Sequence, residues 1–146
     1  MAISSSKLRR AAKRDFPNAK CTISDGTHLS PKKDWVSNDL YFKNFTKWLW
    51  DNNLDKWKKH WDCDNFAFAF YTFAQICHAR AMDKTVKSDQ AQGLTIGVMF
   101  YKQEGGGGHA INIIYTEGKL WGFEPQTGKF LELTKEEKES CWFIVF

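Results

Sequence analysis

A cysteine, a histidine and a glutamate of this chain are the residue types that a thiol nucleophile, its base and an orienting acceptor require. Cys63 opens an apolar stretch, His109 directly follows the segment Gly105–Gly108, and Glu124 comes later in the chain. A cysteine nucleophile needs a base that removes its proton, and the base needs an acceptor that orients its ring. We therefore predict a catalytic triad of Cys63, His109 and Glu124. Taken alone, each residue has an ordinary alternative: a small buried hydrophobe for Cys63, a structural histidine for His109, and a solvated or hairpin-stabilising carboxylate for Glu124.

The stretch Asp62–Arg80 predicts the helix that would carry the cysteine. Apolar residues lie on several faces of this helix, so we expect it to be buried nearly all round and to form the core. Asp62 is the predicted N-cap, and Asp64 lies just inside the helix. The unpaired amides and the positive dipole end of a first turn favour a thiolate at Cys63, whereas the two carboxylates oppose it. The apolar residues are Phe66, Phe68, Ala69, Phe70, Phe73, Ile76 and Cys77.

A predicted hairpin brings the histidine and the glutamate together. The segments His109–Tyr115 and Lys119–Phe123 flank the turn dipeptide Glu117-Gly118, so residues whose numbers sum to 235 should pair. In that register Glu124 and His109 lie on one face as diagonal neighbours, close enough for the carboxylate to accept a hydrogen bond from the ring. A slip of one residue would put Glu124 on the other face.

Further residues complete the predicted site. The backbone N–H of Cys63 is the predicted oxyanion donor, and Asp62 and Gln126 are predicted to support the site. Trp57 and Trp61 lie four residues apart and are predicted to line a substrate cleft, with core packing as their ordinary alternative. We expect no metal ion among the catalytic groups.

The rest of the chain predicts helices first and strands later. This order predicts an α+β fold, in which a buried central helix packs on a small antiparallel sheet behind a helical N-terminal half. We expect a basic tail or short helix at residues 1–20 and a single domain over 21–146. The predicted parts are a loop-rich segment at 21–40, one or two helices at 40–61 broken near Asn52-Asn53, an exposed connection at 83–92, strands at 94–101, 109–115 and 119–123, a short helix at 134–140 and a closing strand at 141–146.

Composition excludes several classes of protein. Hydrophobic residues make up 42% and aromatic residues 16% of the 146 residues, which excludes disorder for most of the chain. Lysine and arginine outnumber acidic residues by 13 to 6 in residues 1–60, whereas acidic residues lead by 11 to 8 in residues 61–146. We find no membrane helix and no signal peptide, so we expect a cytoplasmic protein with free thiols, or one in the host cytoplasm if it is phage-encoded.

Three segments carry a resemblance to a known family: Asp62–Ala67, Gly108–Asn112 and Phe123–Gly128. Together they resemble the papain-like and transglutaminase-like cysteine hydrolases, in particular the bacterial transglutaminase-like cysteine peptidases and the protease domain of a mushroom agglutinin. The resemblance implies the same three catalytic residues and a papain-like or transglutaminase-like fold. The sequence departs from the pattern at Asn65, where many relatives carry Asp.

The resemblance also has implications for cofactors. Some relatives require calcium, so Asp62, Asp64 and Glu124 are candidate oxygen ligands for an activating calcium ion. We expect no other cofactor. Zinc binding by Cys63, Cys77 and His109 is a weaker alternative, because the two cysteines lie about four helical turns apart.

The predicted function is that of a cysteine hydrolase acting on a protein or peptide substrate. It would cleave or transfer an amide or peptide bond through a thioester intermediate at Cys63, and hydrolysis, transamidation and deamidation remain open. The alternative is an inactive member of the same fold that binds a protein or nucleic acid through its basic N-terminal half. A net charge of +4 is too small to favour DNA strongly, and we expect no membrane partner. Nothing in the sequence predicts the oligomeric state.

Overall fold

The structure is a computed structural model that describes residues 1–39, 41–85 and 92–146. Its helices are α1 (Ser5–Asp15), α2 (Phe42–Asp51), α3 (Cys63–Thr85) and α4 (Lys135–Ser140), with a π-helical segment at Trp35–Asp39. Its strands are β1 (Ala2–Ser4), β2 (Lys20–Thr22), β3 (Thr27–Leu29), β4 (Gly93–Leu94), β5 (Ile96–Lys102), β6 (Gly108–Thr116), β7 (Lys119–Glu124), β8 (Lys129–Leu131) and β9 (Phe143–Val145).

The strands form two sheets. The larger sheet has six strands in the order β2-β9-β5-β6-β7-β8, and its β2–β9 pair is parallel whereas the other pairs are antiparallel. The smaller sheet has the order β1-β3-β4, with an antiparallel and a parallel pair. Both sheets therefore join chain segments that are far apart in sequence.

Helix α3 packs on one face of the large sheet. Small side chains at the contact, Ala67 on the helix and Ala110 on β6, are both buried and let the two backbones approach. The side-chain amide of buried Asn112 donates hydrogen bonds to the carbonyls of Ala67 at 2.9 Å and Gly97 at 3.0 Å. This side chain ties the first turns of α3 to the centre of the sheet.

The opposite face of the sheet is covered by α1. Leu8 and Ala12 of this helix are buried in one cluster with Ile111 and Ile113 of β6. The side chain of Ser4 caps α1 by accepting a hydrogen bond from the N–H of Lys7. Residues 5–15 therefore form a helix that contributes to the core.

The hairpin register is as predicted. Asn112 pairs with Phe123 and Ile113 with Gly122, so paired numbers sum to 235. Glu117 and Gly118 have φ values of 52° and 82°, as a two-residue hairpin turn with both central residues left-handed requires. Turn chemistry thus sets the register of the central strands.

The predicted fold class, a papain-like or transglutaminase-like helix on a small antiparallel sheet with a helical N-terminal half, is corrected by this architecture. The large sheet is mixed and six-stranded, a second sheet is present, and the N-terminal half contains β1, β2 and β3. Short strands such as Lys20–Thr22 carry no sequence period, and they form because they pair with distant segments such as Phe143–Val145. The predicted loop at 21–40 misses them for that reason.

Three further predictions concern helix α3, helix α2 and the connection at 83–92. Helix α3 is not buried nearly all round, since Phe68 is 41% and Ile76 46% exposed. Helix α2 ends before Asn52, as predicted, and the structure assigns turns and no second helix between it and α3. Most of the predicted connection at 83–92 lies outside the described residues.

No helix in the described ranges combines the length and apolar character needed to cross a bilayer.

Candidate functional site

The first turn of α3 places Cys63 against the central strands β5 and β6 of the large sheet. Asp62 occupies the N-cap position, and its backbone N–H donates to the side-chain oxygen of Asn65 at 3.1 Å. Its carbonyl accepts the first helical hydrogen bond from the N–H of Phe66. Cys63 is half-buried and packs against the cluster that contains Ala110, the neighbour of His109. The helix start and the beginning of β6 therefore lie side by side.

His109 and Glu124 are in direct contact. The ring Nε2 of His109 lies 2.8 Å from Oε2 of Glu124, and the two side chains are only 13% and 14% exposed. The other carboxylate oxygen of Glu124 accepts a hydrogen bond from the N–H of Gln126 at 3.1 Å. The carboxylate is thus held from two sides, and His109 keeps Nδ1 free of hydrogen bonds to any described residue. A proton acceptor with a fixed orientation results.

Tyr101 packs beside His109. Its ring lies edge-on to the His109 ring at 5.9 Å between centroids. Burial, and then the nearby groups Glu137, Glu124 and Cys63, raise the pKa of Tyr101 to about 12. Cys63 and Glu124 are therefore both within electrostatic reach of one phenol. The thiol of Cys63 makes no hydrogen bond with His109 or with another described residue, so its sulfur is unengaged.

Two carboxylates flank the thiol. A hydrogen bond with Asp64, together with burial and the charge of Asp64, raises the pKa of Asp62. Ligand atoms of Asp62, Cys63 and Asp64 lie within 4.8 Å of one another. Calcium prefers six to eight oxygen ligands, and this group offers two carboxylates beside a sulfur, so it does not by itself fit the calcium ion that the resemblance implies.

The two tryptophans predicted to line a cleft separate in the structure. Trp57 is 59% exposed, whereas Trp61 is half-buried and packs edge-on to Phe66 at 5.6 Å between ring centroids. Trp61 lines a groove on the outer face of α3, and Trp57 does not. The groove has a volume of about 590 Å³, and its other lining residues are Trp48, Asn65, Phe68, Ala69, Thr72, Phe73, Ile76 and Arg80.

The sequence contains the spacing that indicates this groove, but the sequence analysis did not predict it. Positions 65, 68, 69, 72, 73, 76 and 80 follow the three-and-four spacing of one helical face. We interpreted their apolar members as core residues. The helix residues that are buried in the core lie on its inner face and are Phe66, Ala67, Phe70 and Ala74.

A comparison with protein-family models decides the family. The model described as "Ricin-type beta-trefoil lectin C-terminal domain" matches residues 3–144, which is nearly the whole chain. The chain belongs to this lectin family. A search of curated protein sequences finds no match.

Solved structures share the fold of this lectin C-terminal domain. One is described as "PSL1a-E64 complex", with a TM-score of 0.74, 21% identity, and coverage of 99% of this chain and 50% of that chain. Another is described as "Polyporus squamosus lectin bound to human-type influenza-binding epitope Neu5Aca2-6Galb1-4GlcNAc", with a TM-score of 0.70, 22% identity, and coverage of 99% and 49%. The chain spans about half the length of these proteins, and at this identity the likeness is one of fold.

These comparisons correct several predictions. The family that matches is a lectin domain family, so they contradict the assignment to papain-like or transglutaminase-like cysteine hydrolases. The predicted cysteine peptidase or amidase, and the description as a thiol protease or effector, are withdrawn on the same finding. The predicted protein or peptide substrate is contradicted as well, since the Polyporus squamosus lectin is described as bound to a glycan epitope. The alternative of a protein-binding or nucleic-acid-binding module is likewise not supported.

The comparisons leave other predictions untested. They do not test the roles of Cys63, His109 and Glu124, the supporting roles of Asp62 and Gln126, the cofactors, the location in the cell or the division at residue 20. The structure brings His109, Glu124 and Gln126 together, and Cys63 packs on the cluster that contains Ala110, the residue after His109.

Proposed function

We propose that Cys63, His109 and Glu124 form a reactive-thiol site, through which this lectin C-terminal domain binds an electrophilic ligand. The 2.8 Å contact between His109 Nε2 and Glu124 Oε2, in side chains that are almost buried, carries the proposal. The proposal concerns capture of a ligand by the thiol and includes no hydrolase activity.

The chemistry follows from the arrangement of the three groups. Glu124 accepts a hydrogen bond from the N–H of one ring nitrogen and supports a positive charge on the imidazole, so the other nitrogen can take the proton of the thiol. The thiolate at the start of α3 is stabilised by the unpaired amides of the first turn. Its sulfur then forms a bond with an electrophilic carbon, and the electron pair leaves with the displaced group.

A structural neighbour supports the idea of a ligand at this domain. It is described as a complex with E64, and it shares the fold over 99% of the present chain. We propose that E64 binds this chain at Cys63. Cys63 is half-buried at the start of α3, and the free Nδ1 of His109 is the proton acceptor that we propose for its thiol.

The test is site-selective alkylation. The full chain is exposed to limiting iodoacetamide, in which the thiolate displaces iodide, and the modified cysteine is identified by peptide mass mapping. We expect Cys63 to react first, His109→Ala to slow this reaction about tenfold or more, and prior incubation with E64 to protect Cys63. Cys77→Ala is the matched control, because it removes a half-buried thiol from the same helix and should leave the rate at Cys63 unchanged.

Two results would refute the reactive-thiol site. One is labelling that spreads over Cys21, Cys63 and Cys77 at similar rates. The other is a rate at Cys63 that His109→Ala does not change, in a variant whose circular dichroism matches that of the parent. Burial raises the pKa of Cys21 and Cys77, which makes both of them slow reference thiols.

Carbohydrate binding is a second candidate function. Family membership and the glycan epitope bound by the Polyporus squamosus lectin favour it, and the groove on α3 provides exposed aromatic rings of the kind that sugar sites use. Titration calorimetry of the full chain with Neu5Acα2-6Galβ1-4GlcNAc tests it. Absence of binding at millimolar sugar would exclude this function for the chain.

A further inference from the structure

We infer that three aromatic side chains near Cys63 form an apolar strip, which holds an aromatic group of the electrophilic ligand that the thiol captures. The strip consists of Phe68 on α3, Phe100 on β5 and Trp142, which precedes β9. This inference rests on the proposed reactive-thiol site. It goes beyond that proposal by assigning the residues that select the ligand and the chemical class that they select.

The three rings form a continuous row. Phe100 lies in the middle, and its ring centroid is 6.1 Å from that of Phe68 and 6.0 Å from that of Trp142. Phe68 is 41% and Trp142 46% exposed, whereas Phe100 is half-buried. The row is therefore an aromatic surface that is partly open to solvent at both ends.

The middle of the strip lies next to the thiol. Phe100 and Cys63 both pack against one small buried cluster, which consists of Ala67 on α3, Val98 on β5 and Ala110 on β6. These side chains are short, so they add little bulk between the aromatic ring and the sulfur. A ligand bound to the sulfur can therefore reach the strip with its next group.

One end of the strip lies next to the proposed base. A Cβ built on Gly108 would lie 3.5 Å from the Cη2 atom of the Trp142 ring, and Gly108 directly precedes His109 in β6. Phe100 pairs with Ala110, the residue after His109. The strip thus extends from the helix that carries the thiol to the strand that carries the histidine.

Trp142 is exposed although its backbone is fixed. Its N–H donates to the carbonyl of Phe100 at 3.1 Å, and its carbonyl accepts from the N–H of Lys20 at 3.0 Å. The large sheet therefore holds the indole ring in place while the ring remains open to solvent. A ring whose backbone is already fixed loses less conformational freedom when it binds a ligand.

The composition of the strip determines the class of ligand. Phe68 and Phe100 offer no hydrogen-bonding group, and the indole N–H of Trp142 is the single donor of the strip, without a partner among the described residues. Aromatic rings attract one another in edge-on and offset arrangements. The strip therefore favours a phenyl-like group on the ligand over a charged or heavily hydroxylated one.

The test compares two alkylating reagents on the full chain, iodoacetamide and N-phenyl-2-iodoacetamide. With either reagent, the sulfur of Cys63 bonds to the carbon that carries iodine, and iodide leaves with the electron pair of the broken bond. The ratio of the two rates at Cys63 is measured by peptide mass mapping and divided by the same ratio for glutathione, which corrects for intrinsic reactivity. We expect the phenyl reagent to be preferred about tenfold or more.

Variants of the strip locate this preference. Trp142→Ala and Phe68→Ala should each lower it about threefold or more, and Trp142→Phe should restore part of it because a ring is kept. The matched control is Trp50→Ala, which removes a 70% exposed ring from α2 outside the strip and should leave the preference at the parent's value. A preference that neither Trp142→Ala nor Phe68→Ala lowers would overturn the inference.

The outcomes separate the strip from the reactive-thiol site. Equal corrected rates for the two reagents overturn the strip, while the slowing of iodoacetamide labelling by His109→Ala still supports the site. A phenyl preference that persists although His109→Ala slows neither reagent supports the strip and refutes the activated thiol. A dimer in sedimentation that Trp142→Ala dissociates would show that a second copy covers the strip, which overturns the inference.

Discussion

At the scale of single residues, the position of Glu124 is the most informative. Its two oxygens are occupied by the ring of His109 and the N–H of Gln126, so the carboxylate cannot turn away from the histidine. A solvated hairpin glutamate would have neither constraint. The residue therefore has the properties of an orienting group for the ring beside it.

The first prediction concerns this carboxylate. Glu124→Gln keeps the shape of the side chain but removes the charge that supports a protonated His109. We expect the alkylation rate at Cys63 to fall about tenfold, with little change in the free energy of unfolding. The alkylation rate is measured by peptide mass mapping of reactions stopped at set times. The control is Glu132→Gln, which removes the acidic partner of Lys119 in an exposed ion pair. An equal effect of both variants would assign Glu124 a structural role.

His28 is a second residue whose environment has consequences. Its side chain is 1% exposed, and neither ring nitrogen has a hydrogen-bond partner among the described residues. Burial lowers the pKa of His28, and the nearby carboxylate of Asp25 opposes this only in part. The folded protein therefore resists protonation of this ring.

The second prediction follows from the sign of that shift. The unfolded chain binds a proton at His28 near pH 6.5 and the folded chain only at lower pH, so stability is complete above pH 6.5 and is lost as the pH falls below it. Between pH 7.5 and 5.5 the free energy of unfolding of the parent should fall by up to about 1.4 kcal/mol per pH unit because of His28. His28→Phe should flatten the profile in urea unfolding, whereas the exposed His60→Gln should not. A profile that His28→Phe leaves unchanged would contradict the assignment.

At the scale of elements, α3 serves two environments. Its inner face is buried against β5 and β6, whereas Phe68 and Ile76 on the outer face remain exposed. Asn112 attaches the helix to the sheet near the turn that carries Cys63. Placement of the thiol therefore depends on a polar contact inside an apolar interface.

The third prediction tests this contact. Asn112→Ala removes the donors for the carbonyls of Ala67 and Gly97 and should lower the free energy of unfolding by about 1–3 kcal/mol. Alkylation at Cys63 should also slow, because the start of α3 is then less firmly positioned. Urea unfolding and labelling of the same samples measure both effects. The exposed Asn18, which donates to the carbonyl of Glu139, provides the control: Asn18→Ala should cost less than about 1 kcal/mol and leave labelling unchanged.

At the scale of the whole molecule, the two ends of the chain complete the sheets. Lys20 pairs with Phe143 in the large sheet, and Ile3 pairs with His28 in the small one. Loop closure over such distances costs entropy that only the finished core offsets. The N-terminal segment is accordingly bound to the fold through many buried side chains.

The fourth prediction uses deletion of residues 1–16. This deletion removes β1 and α1 with the buried side chains of Ile3, Leu8 and Phe16, and each large core side chain typically contributes about 2–5 kcal/mol. The free energy of unfolding of a whole domain is about 5–15 kcal/mol, so we expect the shortened chain to lose its cooperative thermal transition. The variant with Arg10→Gln and Lys13→Gln removes exposed charges from the same helix and should melt within a few degrees of the parent. Cooperative melting of the shortened chain would support the predicted division at residue 20.

The sequence alone determined those features that neighbouring residues encode. The turn at Glu117-Gly118 set the register that puts Glu124 beside His109, and the polar start of the apolar stretch set the beginning of α3 at Cys63. Both depend on local turn and capping chemistry, which acts within a few residues. The partial site could be predicted for this reason.

Tertiary structure alone decided which apolar face of α3 would be buried and how the short strands would pair. Phe66 and Phe68 are equally apolar in sequence, and only packing on the sheet buries the first and exposes the second. Strands such as Lys20–Thr22 are too short to carry a period, and the partners that stabilise them lie more than a hundred residues away. The groove on α3 and the mixed sheet therefore became visible only when distant segments were brought together.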